Sequence, residues 1–210
     1  MMPMMDRDAA LGDLLERYVF ERWQEDLLAI GDRYDKNQLK LEAGFVQVVD
    51  TICRQAAQLQ VQQLKGDIQY IYISLLRTSV MEHKAQYRID IHDDRWFLDP
   101  VECSGLWEAD FIFDPLFQRM SELDSVKSQY ARKISTMDIE RILQIEAARY
   151  HLFAIEFMRN LIPSILEGEG YILMGKKPNI CLLAGEYRDQ CEILYGNPEG
   201  ESSGTEAGEI

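Results

Sequence analysis

Between residues 68 and 98 the hydrophobic pattern changes period in the middle of an otherwise helical chain. Upstream, apolar residues recur every three or four positions. Here the run Ile68-Gln69-Tyr70-Ile71-Tyr72-Ile73-Ser74-Leu75-Leu76 is dense in β-branched and aromatic residues, and Tyr87-Arg88-Ile89-Asp90-Ile91-His92 alternates strictly. An amphipathic helix repeats about every 3.6 residues and a half-buried strand every second one, so the switch inserts strands among helices. The fold class that follows is helix-rich α+β: four principal helices packed on a small, mostly antiparallel sheet.

The spacing predicts a first long helix over residues 9–30, with Leu11, Leu14, Leu15, Tyr18, Val19, Trp23, Leu27 and Ile30 in one stripe. Gly31-Asp32 and Asp35-Lys36-Asn37 carry turn chemistry. A second helix over residues 38–65 would bury Leu41, Phe45, Val48, Val49, Ile52, Cys53 and Ala56 and stop at Gly66. The two together read as an antiparallel helical hairpin. A strand over residues 68–80, apolar on both faces, takes a central place; residues 82–85 turn the chain into an antiparallel partner over 86–92.

Asp114-Pro115 marks the start of a third helix, and Ser135 or Thr136 caps a fourth that runs to Ile162 before Pro163 and Gly168. On a helical wheel the fourth helix sets Ile139, Leu143, Ala147, Tyr150, Ala154, Phe157 and Leu161 on its main apolar face. Glu140, Arg141, Gln144, His151 and Arg159 form its wet face, with Ile142, Glu146, Arg149, Phe153, Glu156 and Asn160 between. Such a helix belongs at the centre, packed on the sheet. Short apolar runs at 171–174, 180–184 and 191–195 are further strands. Residues 1–195 read as a single globular domain, and residues 196–210, rich in Gly, Ser and Glu, as an acidic disordered tail.

The chain has 36 Asp and Glu against 22 Lys and Arg, a formal net charge of −14. An acidic surface repels phosphate backbones and anionic lipid, which excludes nucleic acid and membrane as expected partners and permits a basic protein. No run approaches the roughly eighteen apolar residues of a bilayer span. The N-terminal Met1-Met2-Pro3-Met4-Met5-Asp6 lacks the basic-then-apolar order of a signal peptide, so the expected compartment is the cytoplasm. Cys53, Cys103, Cys181 and Cys191 have no metal-ligand spacing and read as free, mostly buried thiols, although Cys181 and Cys191 could face each other across a hairpin. No cofactor is indicated.

Three sets of residues are candidates for chemistry. Gly170-Tyr171-Ile172-Leu173-Met174-Gly175-Lys176-Lys177 matches the front of a phosphate-binding loop in spacing only. Its intervening residues are bulky, Lys177 replaces the hydroxyl residue that would hold Mg²⁺, and Pro178 follows at once, so it reads as a hairpin turn. Asp90, His92 and Asp94 stand two apart, where an extended strand shows them on one face as candidate ligands of a divalent metal; the plainer reading is an amphipathic strand's polar face. Glu146, Arg149 and Glu156 lie along the mixed stripe of the fourth helix. With Arg77 or Arg88 packed against them they would form an ionic network able to grip a carboxylate or phosphate. His83, His92 and His151 fall in no catalytic motif.

Two functions follow from these observations. The preferred one is a non-enzymatic interaction module whose acidic surface meets a basic partner, in the manner of an inhibitor, antitoxin or immunity protein. The alternative is a small enzyme or ligand-binding domain with a pocket between the fourth helix and the sheet, holding a divalent metal or an anion. A homo-oligomer is open to either, and no residue selects it.

Overall fold

A computed structural model of the chain describes residues 6–197. In chain order the elements are α1 (Arg7–Tyr18), α2 (Arg22–Val61), β1 (Ile68–Leu75), α3 (Arg77–Met81), β2 (Gln86–Asp93), β3 (Ser104–Glu108), α4 (Asp110–Val126), α5 (Thr136–Asn160), α6 (Ile162–Leu166), α7 (Glu169–Leu173), β4 (Lys176–Glu186) and β5 (Cys191–Tyr195). The strands form one mixed sheet in the order β3-β2-β1-β4-β5, and the fold is helix-rich α+β. Among the described residues no helix is long and apolar enough to cross a membrane.

The helical N-terminal region differs from the pattern expected of it. Residues 22–61 make one helix of 40 residues, and the chain breaks instead at 19–21, so a short helix and a long one replace the expected pair. A single helical Gly costs only about 1 kcal/mol. The turn-forming side chains find partners inside the helix: Asn37 Nδ2 donates to the Arg33 carbonyl at 2.9 Å, Gln38 Nε2 to Glu42 at 3.0 Å, and the Tyr34 hydroxyl to the same carboxylate. α2 stops just before Gln63, which takes the left-handed conformation (φ 59°). There Gln63 N–H bonds to the Gln60 carbonyl and Leu64 N–H to that of Leu59 (both 2.9 Å), the six-to-one and five-to-two pattern of a Schellman stop. Gly66 is therefore not the terminator.

β1 ends at Leu75 rather than near residue 80, and Arg77–Met81 coils into one helical turn before the chain reverses through left-handed His83 (φ 57°). Leu76 N–H donates to Gln86 at 3.0 Å and Ser74 Oγ to Arg88 at 3.3 Å, which runs β2 antiparallel to β1. The Ile91–Cys103 (2.9 Å) and Ala109–Ala85 (2.8 Å) bonds set β3 antiparallel to β2. β3 is too short to announce itself by alternation. A Cβ on its Gly105 would lie 2.7 Å from Ile52 Cδ1, so the tip of that side chain would have to shift.

Ile68 N–H donates to the Gly175 carbonyl at 2.9 Å, bringing the start of β4 beside the start of β1, and β5 returns antiparallel along β4. Gly185, not Cys181, stands opposite Cys191. All four cysteines are free, with Cys53, Cys103 and Cys181 buried and Cys191 exposed.

α4 starts at Asp110, ahead of the Asp114-Pro115 pair, and carries Pro115 inside it. Phe111, Ile112 and Phe113 are buried before the proline, and that burial outweighs the one backbone bond Pro115 cannot make. α5 opens with a reciprocal cap: Ser135 Oγ accepts from Asp138 N–H at 3.3 Å, while the Asp138 carboxylate accepts from Ser135 N–H at 2.8 Å. Residues 169–173 coil into α7 instead of forming a strand or hairpin turn. Gly170 N–H donates to Asp50 Oδ1 at 2.6 Å, and a Cβ on Gly170 would come within 2.3 Å of the Asp50 carbonyl oxygen.

The described chain divides into two compact units: one gathers residues 6–45, 75–87 and 106–160, the other residues 46–74, 88–105 and 161–197. The first has an aromatic core, with Trp107 stacked on Phe157 (5.6 Å between centroids, 3° between planes) and Phe45 meeting Trp107 at 4.8 Å. The second buries Ile68, Ile71, Ile73, Ile89, Ile91 and Leu182 of the strands together with Ile52, Cys53 and Ala56 of α2. Of the expected tail, residues 198–210 lie outside the described residues.

The continuity of α2 can be tested at Gly31, where nothing lies within 4 Å of a built Cβ and φ is not in the left-handed range. Gly31→Ala should raise stability in urea denaturation by about 0.5–1 kcal/mol. A loss of stability would mean that the chain turns there.

Candidate functional site

α5 must bury one side of its surface, and its mixed stripe carries Glu146 with it to 7% exposure. A carboxylate so placed needs a cation. It has Arg119 of α4, itself 4% exposed, whose Nη2 lies 3.5 Å from Glu146 Oε2, 2.8 Å from the Tyr150 hydroxyl and 3.2 Å from Asp26 Oδ2 of α2. The Tyr150 hydroxyl donates in turn to Asp26. Arg149 Nη1 donates to Glu146 at 2.9 Å, and its guanidinium sits over the Trp23 ring, 5.3 Å from the centroid. Burial, and then the bond to Asp26, push the Tyr150 phenol well above its ordinary range, so it remains a proton donor. Two donor nitrogens of Arg119, Nε and Nη1, have no acceptor among the described groups.

Of the residues singled out from sequence, Glu146 and Arg149 are brought together. Glu156 is exposed and pairs with Arg159 at 3.2 Å, and Arg77 is exposed at the start of α3. Arg88 does not reach the Glu146 stripe. It is two residues from Asp90 on the same face of β2 and binds that carboxylate at 2.9 Å and Glu102 at 2.7 Å. The network's principal cation, Arg119, and its second carboxylate, Asp26, were not anticipated. Arg119 could have been noticed as one charge inside the apolar phase set by Leu116, Phe117, Met120 and Leu123.

Asp90, His92 and Asp94 are dispersed. Asp90 lies under Arg88. His92 stands beside Trp96 and Phe97 (centroids 5.8 and 5.4 Å), with a buried Nε2 that has no partner among the described residues. β2 ends at Asp93, so Asp94 leaves the strand's alternation and pairs with Lys177 at 3.2 Å. Among the described residues no group of three or more His, Cys, Asp and Glu side chains is arranged to hold a metal ion. Burial lowers the His92 pKa below its ordinary value. His151, expected on the wet face of α5, is buried and shares a 2.8 Å hydrogen bond with the Tyr87 hydroxyl. Burial pushes the Cys53 thiol up to about 12 and that of Cys103 up to about 11, so neither offers a thiolate at neutral pH.

Near His92 the second unit buries Lys65, whose ammonium donates to Asp99 and, at 2.8 Å, to the Val101 carbonyl. Asp99 also accepts from the Asp93 and Val101 N–H groups (3.2 and 3.0 Å), and Asp93 is gripped by Arg95.

Among the described residues, each unit has a hollow open on its surface. In the first unit a cavity of about 320 Å³ has Met81, Met120, Ile139 and Leu143 as its apolar lining and Asp124 and Glu140 as its acidic lining. His83 also lines it, with its ring stacked on Phe117 at 5.3 Å. In the second unit a hollow of about 430 Å³ is lined by Arg54, Ala57, Gln58, Val61 and Gln62 of α2 and by Leu173 of α7. Comparison with protein-family models, with curated proteins and with solved structures returns no match, so function has to be argued from this chemistry.

The Lys65–Asp99 pair makes stability depend on pH. Burial is the largest influence on Asp99 and opposes its charge, but the Lys65 bond, the Val101 and Asp93 N–H groups and the Lys65 charge together outweigh it and hold the carboxyl below its ordinary value. Asp93 is held low in the same way by Arg95. Each contributes stability above the unfolded pKa of about 3.9, lost as pH falls through the lower folded value. In urea melts Asp99→Asn should cost about 3 kcal/mol at neutral pH, since it leaves Lys65 unpaired. The same variant should flatten the decline below about pH 4; an unchanged acid slope would show that the folded chain does not hold the Asp99 carboxyl low.

Proposed function

We propose that the protein is a non-enzymatic interaction module that binds a basic partner, as inhibitor-, antitoxin- and immunity-type modules do. The observation that carries this reading is the hollow lined by Met81, Met120, Ile139 and Leu143 and by the carboxylates Asp124 and Glu140. Methionine reshapes around different apolar side chains at little cost, which suits a surface that must accept a partner's residue. Glu140 makes no ion pair among the described residues, and Asp124 has the partly exposed Lys127. An aliphatic or aromatic side chain flanked by Lys or Arg would satisfy lining and carboxylates together. The net charge of −14 adds long-range attraction for such a segment.

The interior supports the same reading. Arg119 is engaged with Glu146 in the first unit and Lys65 with Asp99 in the second, and burial keeps the Cys53 and Cys103 thiols protonated. We place the action in the cytoplasm, where such thiols stay reduced.

An amphipathic leucine/lysine peptide, followed by fluorescence anisotropy, tests the proposal. Binding should weaken as salt rises. It should fall about tenfold in Glu140→Lys and be absent for the leucine/glutamate counterpart. Equal binding of the acidic peptide, or indifference to Glu140→Lys, would overturn it.

A second reading, a small anion held at Arg119, is favoured by the two donor nitrogens of that buried guanidinium that have no acceptor. Acetate or phosphate should then raise the melting temperature of the wild type and not that of Arg119→Lys. The same response in both would dismiss it.

A further inference from the structure

A chain of net charge −14 repels its own copies over most of its surface. In a two-fold interface the same patch serves on both sides, and a residue near the axis meets its own counterpart. Two copies can therefore meet only where charge is absent or already compensated. The hollow on the second unit has that character. Ala57 and Val61 stand one turn apart on α2, and Leu173 closes the hollow from α7 with Ile172 beside it. Val61 is 86% exposed, Leu173 66% and Ile172 63%.

The flanking side chains are the uncharged amides Gln58 and Gln62. The one ion in the lining is Arg54, whose Nε donates to Asp50 at 2.7 Å and whose Nη2 donates to Glu169 at 2.6 Å, so two carboxylates of the same chain already hold it. The surface is also firmly built. Gln60 Oε1 accepts from Gly175 N–H and Gln60 Nε2 donates to the Gly175 carbonyl, both at 2.9 Å, which ties the chain after α7 to α2. The hollow of the first unit fails the same test, because two copies meeting there would set Glu140, which makes no ion pair among the described residues, against its own counterpart.

We propose that a second copy of this chain covers the α2–α7 face, the two α2 helices crossing at Ala57 and Val61 and each Leu173 packing toward the other copy's hollow. Ala57 lets the helices approach, and Gln58 and Gln62, each both donor and acceptor, can bond amide to amide across the axis. Three exposed aliphatic side chains per copy are a small apolar centre beside the roughly 800 Å² per partner of a standard interface. Association is therefore weak and set by concentration. Salt strengthens it, because screening relieves repulsion between the acidic surfaces. That is the opposite sign from binding of a basic peptide, so the two proposals fail separately.

Sedimentation velocity on the full chain, over a concentration series up to on the order of 100 μM and at low and high salt, tests the proposal. The wild type should pass from monomer to dimer as concentration rises, and more completely at high salt. Val61→Glu and Leu173→Glu should each stay monomeric with an unchanged melting temperature, since both side chains are largely exposed. Val61→Gln, which adds no charge, should weaken the dimer and serves if either glutamate disturbs folding. Glu140→Lys should leave the dimer intact. A wild type monomeric at every concentration, a dimer that ignores Val61→Glu and Leu173→Glu, or one that salt dissolves would overturn it.

Discussion

A charge taken out of water has to be met by an opposite charge and by hydrogen bonds, or the chain around it opens to let water back in. Both units of this protein are organised by that constraint. In the first, the guanidinium of Arg119 ties α4 to α5 through Glu146 and Tyr150 and to α2 through Asp26. In the second, the ammonium of Lys65 is fully desolvated and joins the segment after α2 to the connection between β2 and β3 through Asp99 and the Val101 carbonyl. Apolar burial supplies most of the drive to fold in such a protein, but it does not by itself dictate which helix lies against which. A charge with three partners does, because displacing any one partner strands the others.

Meeting those demands internally bears on function. Arg119 meets Glu146, Asp26 and Tyr150 through Nη2, while its Nε and Nη1 have no acceptor among the described groups, and burial keeps the Cys53 and Cys103 thiols protonated. Two surface hollows among the described residues are of contrasting kinds. One hollow has a methionine-lined apolar floor beside carboxylates; the other is apolar and amide-lined, with its single cation already matched. The occupants proposed for them differ accordingly: a basic segment for the hollow beside the carboxylates, and a second copy of the chain for the amide-lined one.

Several elements were legible in the residues. The alternation over 86–92 and the run at 191–195 are strands, the cap at Ser135 opens a helix, and every residue of the apolar face drawn for α5 is buried. These signals are local: they depend on neighbours a few positions away, and tertiary packing had no reason to oppose them. The misreadings were local signals that packing overrode. Gly31 and Asn37 look like a turn but are absorbed into α2, and Pro115 looks like a helix start but follows three buried residues. Residues 171–174 look like a strand, yet Asp50 holds Gly170 in a helical turn. Glu146 and Arg149 were identifiable because they share one helix, whereas Asp26 and Arg119 come from two others.

By itself, then, the sequence determined the class of fold, the period of most elements, the acidic balance and the stripe on α5 that had to carry charge inward. The tertiary structure alone decided that Arg119 answers Glu146, that Asp94 falls off the end of β2 and away from His92, and that Gly105 makes room for Ile52. The division has a physical basis. Backbone periodicity is settled within a few residues, while pairing a desolvated charge or filling a gap requires groups that only the folded chain brings within a few ångströms of each other.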